Sequence, residues 1–140
     1  MSVLKRGLLV AIFVAQLVGS TLIGWTQTSH SPQSRIPKPD PRKWHAVRDA
    51  KDWKNPYLIV RRDGIEIVGL TAVGQAIPVD SVPGVLKGLP ESAWPYGLVV
   101  AVQDIGLRSQ GDPQRIEANR KRLLTLLQKL GIAADLWPSA

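Results

Sequence analysis

The residues able to do chemistry are few and scattered. Histidine occurs twice, at His30 and His45, and cysteine not at all. Without thiols there is no thiol catalysis, no disulfide and no cysteine-based zinc site, and the chain suits any redox compartment. A metal ion needs several ligands converging on a rigid frame, and no His/Asp/Glu cluster with ligand spacing occurs in the sequence. Serines are present, but no Gly-x-Ser-x-Gly elbow, and no histidine follows His45 to act as a base. Glu91 and Asp104 are the carboxylates from which an acid–base pair would be drawn, with nothing in the sequence to join them. The stretch Gly106–Pro113, GLRSQGDP, lacks the lysine and spacing of a phosphate loop, and Asp112 at a helix start repels phosphate. The expectation is no catalytic, cofactor or metal site.

Charge is the stronger signal. The chain carries 18 Lys/Arg against 11 Asp/Glu, and without Lys5 and Arg6 the balance is still +5. Nine cations fall in one stretch (Arg35, Lys38, Arg42, Lys43, Arg48, Lys51, Lys54, Arg61 and Arg62), against Asp40, Asp49 and Asp52. Trp44 and Trp53 are interleaved with them. Cations near an anionic leaflet gain about 1 kcal/mol each, and tryptophan rings settle at the headgroups, so this stretch is a candidate contact for anionic lipid or a cell-wall polymer. The plainer alternative is a solvated spacer. A second candidate is a helix stripe of Arg115, Arg122 and Lys129, spaced seven apart and so on one face, that either meets a protein partner or keeps the helix soluble.

The elements that position these residues begin with Gly7–Trp25, nineteen residues without a charge behind Lys5 and Arg6. As a helix they rise roughly 28 Å, enough for a hydrocarbon core of about 30 Å. Gln16 is the strongly polar side chain inside, and Trp25 ends the run where an aromatic ring favours the headgroups. Two readings stand: an uncleaved anchor, and a signal peptide cut after the fair small-residue match Val18-Gly19-Ser20. The nearest cations lie on the N-terminal side, so the orientation expected is N-terminus inside and C-terminal domain outside, where nucleic acid is not an expected partner.

Residues 26–56 follow as a basic tether. Thr26–Lys43 has four prolines and few apolar residues, a composition that predicts extended chain. A short amphipathic piece, Trp44–Trp53, closes it. The domain, residues 57–140, opens with YLIVRR-DG-IEIVG, two β-rich runs about an Asp63-Gly64 pair. That pair suits a type I′ turn, with Arg61 facing Glu66 and Val60 facing Ile67. DSVPGVLKGLP predicts a short helix capped by Asp80 or Ser81, with Val82, Val85, Leu86 and Leu89 on one face. Tyr96–Ile105 predicts a strand buried on both faces. A long helix follows, capped by Asp112, begun by Pro113 and ended by Gly131, with an apolar stripe of Ile116, Leu123, Leu127 and Leu130. IAADLW closes as a strand. The fold class expected is α+β, ordered β-β-α-β-α-β, with residues 57–137 supplying one shared core.

On the LIVRRDG hairpin, the VVAVQD strand ending in Asp104 and the helix closed by LGIAADL, the chain resembles the ExbD/TolR family. The resemblance implies a bacterial inner-membrane protein with one N-terminal helix, a tether and a periplasmic domain, in a family that couples the proton gradient to work at the outer membrane. Family members carry an aspartate in the membrane helix for that coupling, and Gly7–Trp25 has no carboxylate. The expectation is therefore a membrane-anchored, non-catalytic envelope interaction or accessory protein, with an envelope protein or a second copy of itself as partner. The alternative is a periplasmic or secreted enzyme of unknown reaction.

Overall fold

A computed structural model describes residues 35–106 and 112–139, a small α+β domain. The Gly7–Trp25 segment, His30 and the centre of the GLRSQGDP loop lie outside the described residues. Its elements are β1 (Tyr57–Arg61), β2 (Gly64–Ile67), α1 (Val82–Lys87), β3 (Val99–Asp104), α2 (Pro113–Lys129) and β4 (Ala133–Trp137). The sheet is four-stranded in the order β2-β1-β3-β4, with β1 and β2 antiparallel and the pairs β1/β3 and β3/β4 parallel. Among the described residues, no helix is long and apolar enough to cross a membrane.

Period-2 alternation sorts the strands' side chains into two layers. Leu58 and Val60 of β1, Ile65 and Ile67 of β2, and Val100 and Val102 of β3 meet Val82 and Leu86 of α1 and Ile116, Leu123 and Leu127 of α2 in the main core. The α2 stripe arises as its sequence predicts. The Asp112 carboxylate accepts from Arg115 N at 3.1 Å, Pro113 opens the first turn and Gly131, at φ 70°, releases the chain toward β4. On the other face Tyr57, Val99 and Ala101 pack with Trp53 and Tyr96, so β3 is covered on both sides.

That second layer corrects the tether. Within the described part, residues 36–56 are folded onto the sheet as an arm with two short 3₁₀ turns, Pro41–Lys43 and Ala50–Asp52, and a further turn at 44–46 between them. Ile36 is buried in the main core and Trp53 is only 7% exposed. Asp40 and Asp49 cap the two turns, each accepting from the backbone N–H two residues on. Prolines and charges dominate the composition here, but a few apolar residues with distant partners decide the structure.

Two local expectations also change. The β1/β2 register sets Arg61 opposite Gly64 and Ile59 opposite Glu66, so Arg62 and Asp63 form the turn. Gly64 is needed for a different reason: at φ 145° a Cβ there would collide with the Ile77 carbonyl, which pairs with β2. Arg61 and Glu66 still meet at 2.9 Å, as a diagonal pair on one face. In α1 Ser81 holds the N-cap position, but no side chain makes a capping bond there. The Asp80 carboxylate instead takes Arg122 of α2 in a fork of 2.7 and 2.9 Å, and Val85 faces outward.

Candidate functional site

The nine-cation stretch divides into exposed and committed residues. Arg35, Lys38, Arg42, Lys43, Arg48, Lys51, Lys54 and Arg62 are exposed. Arg42 forks onto Asp40, whose carboxyl is held below its ordinary value mainly by that hydrogen bond, and Lys51 pairs with Asp49 at 3.2 Å. Arg61 is committed to the fold, its side chain 14% exposed and bonded to the buried Glu66 carboxylate, which also accepts from Gly74 N at 3.1 Å. The tryptophans face the sheet. Trp53 sits 5.1 Å from Tyr96, 5.8 Å from Trp137 and 6.2 Å from Trp44, measured between ring centroids, and its indole N–H donates to Pro56 O. A ring so enclosed is not available to lipid while the arm stays folded.

The helix stripe divides in the same way. Arg115 and Lys129 are exposed, whereas Arg122 joins α2 to the turn before α1 through Asp80, whose carboxyl is lowered by the hydrogen bond. The expected alternatives for chemistry stay apart. Asp104 ends β3 with its charged neighbours Arg120, at 3.7 Å, and Glu117, and not Glu91. Burial pushes its carboxyl up from the ordinary range, Arg120 opposing and Glu117 adding. His45 Nδ1 lies 2.9 Å from Arg42 O. Among the described residues no group of His, Asp and Glu could hold a metal ion.

A feature without a local sequence signal lies at the β4 edge. β4 pairs with β3 on one side, and among the described residues no strand pairs with its other side. The opposite sheet edge, by contrast, is met by Ile77, which exchanges two 2.9 Å backbone bonds with Ile65. Beside β4 the arm leaves an open groove of about 490 Å³, walled by Trp44, His45, Val47 and Arg48 on one side and by Leu136, Trp137 and Pro138 on the other. Ala133 N donates to Leu98 O, so the period of two turns the N–H groups of Ala134 and Leu136 outward. Leu136 is one of the few exposed large apolar side chains. An edge with free donors beside an aromatic-lined groove is suited to binding an extended chain. No protein-family model, curated protein or solved structure matches this chain.

Proposed function

We propose that this protein is a membrane-anchored, non-catalytic contact module of the bacterial envelope. Gly7–Trp25 is the anchor, and the α+β domain is held outside the inner membrane. On this reading it is ExbD/TolR-like in topology but without the membrane carboxylate that proton coupling needs, so it acts as an accessory rather than a motor. The observation that supports the contact function is the open β4 edge with its groove, a surface suited to an extended partner segment. The partner is another envelope protein or a second copy of the chain. Anionic lipid or cell-wall polymer is a weaker reading, supported by the exposed cations of the arm.

Reporter fusions at the C-terminus test the placement. A reporter that works only outside the cytoplasm should be active and remain with the membrane fraction. A cytoplasmic readout contradicts the orientation, and a soluble product beginning near Thr21 contradicts the anchor.

A further inference from the structure

The connection from β2 to α1 holds three large apolar side chains in solvent: Val73 is 97% exposed, Leu70 53% and Val68 47%. No charged residue occurs between Glu66 and Asp80. Single exposed apolar residues are ordinary, but three within six positions make a patch. The loop is also built, because Leu70 N and Thr71 N both donate to Ile67 O, at 3.0 and 2.9 Å. Gln75 N donates to Ala72 O, and Gly74 N is tied to the Glu66 carboxylate. The apolar side chains are therefore presented by a hydrogen-bonded frame.

Its position supplies the second observation. Val68 N donates to Tyr57 O at 2.9 Å, so the loop leaves the sheet at the end where the parallel strands β1, β3 and β4 begin. The N-terminal arm reaches the domain at that same end: Pro37 O accepts from Leu98 N at 3.1 Å, and the Pro37 and Lys38 backbone lies against Gly97. α2 finishes there too, with Lys129, and Lys54 stands just before β1; Lys38, Lys54 and Lys129 are all exposed. Arg35 is ten positions after Trp25, with nine residues between them. Even fully extended, that span reaches only about 35 Å.

We infer that residues 68–73 are a second membrane contact. Resting on the anchor reading above, the tether holds this end of the domain toward the bilayer, Val68, Leu70 and Val73 enter the lipid interface, and Lys38, Lys54 and Lys129 meet anionic headgroups. Three side chains would not hold a free protein on a membrane. A tether this short raises the local concentration to the millimolar range, where a weak contact is populated. The domain is thereby oriented, with the C-terminal ends of the parallel strands directed away from the membrane.

The absence of cysteine lets one introduced cysteine carry one polarity-sensitive fluorophore. The full chain, reconstituted in phosphatidylglycerol-containing bilayers with or without brominated acyl chains, would be labelled separately at Val73→Cys, at Val14→Cys within the apolar run, and at Gln114→Cys at the far end of the domain. The Val73 and Val14 probes should be blue-shifted and quenched about twofold or more by bromine, as expected of groups in the acyl boundary, and the Gln114 probe should not. Val68→Ser with Leu70→Ser should reduce the quenching at position 73. Quenching at 14 without quenching at 73 leaves the anchor standing and overturns the second contact, assigning the loop to a protein partner. No quenching at 14 overturns the anchor and this inference with it.

Discussion

The side chain of Asn55 closes on Tyr96: its Oδ1 accepts from Tyr96 N at 2.9 Å, while its amide donates to Gly97 O at 2.8 Å and Val99 O at 2.7 Å. One buried amide thus fastens the arm to the start of the central strand, 41 residues away. Leucine at this position would leave Tyr96 N and Val99 O without that partner, at about 1–3 kcal/mol for each, while Gly97 O keeps Val99 N at 2.8 Å. Asn55→Leu should cost at least about 2 kcal/mol in denaturant unfolding of residues 26–140. A change under about 0.5 kcal/mol would show that the arm is not fastened there.

The arm covers one face of the sheet, so a fragment beginning at Tyr57 should fail where one beginning at Thr26 folds. Without Trp53 and its neighbours, Tyr57, Tyr96, Val99 and Ala101 face water. Residues 57–137, self-sufficient by their pattern alone, should aggregate or bind a hydrophobic dye. A cooperative unfolding transition from that fragment would contradict the arm's part in the core.

Much of the fold was legible and the arm was not, for a physical reason. Long, period-3.6 segments such as Ile116–Leu130 state their buried face locally, and the Asp112-Pro113 start and Gly131 stop sit within that same window. The arm's structure depends on Trp44, Trp53 and Asn55 finding partners near Tyr96 and Trp137, and on Ile36 entering the main core, which no local window contains. The hairpin was visible, but its register turns on Ile77 closing against Gly64, a contact outside the hairpin. Of the candidate site, the cations could be named from the sequence. The pairing of Arg61 with Glu66 was legible in the hairpin, though not its diagonal register; which cations were committed to Asp80 or Asp40 was not, nor was the open edge of β4, because these are consequences of packing.

The α2 stripe gives a direct test of the main core. Leu123 and Leu127 are fully enclosed between helix and sheet, and truncating either to alanine should cost about 2–5 kcal/mol. Val85→Ala, on the outward side of α1, should stay within about 0.5 kcal/mol. Equal effects at the two sites would contradict the assignment of faces.

Two carboxylates should move stability with pH in opposite directions. Asp104 is raised in the folded state by burial, so the protein loses stability as pH rises from the unfolded carboxylate value, about 3.9, through the folded value. Asp104→Asn should therefore gain on the parent as pH rises across that window. Asp80 is lowered by its Arg122 hydrogen bond, so its contribution is present above the unfolded value and lost as pH falls through the folded one. Asp80→Asn should lose ground to the parent above that window and match it in acid. Melting temperatures of the two variants measured from pH 3 to 7 check the signs, and parallel profiles would contradict both.

The contact function stands or falls on the β4 edge. Leu136→Pro removes an outward N–H without touching a ladder bond, a position at which an edge strand tolerates proline. With a photoreactive residue in place of His45, on the groove wall, intact cells should yield an adduct of defined mass, with a second copy or with another envelope protein. Adding Leu136→Pro should abolish that adduct while the melting temperature stays unchanged. No adduct, or one that survives the proline in a protein that still folds, would contradict a contact made through this edge.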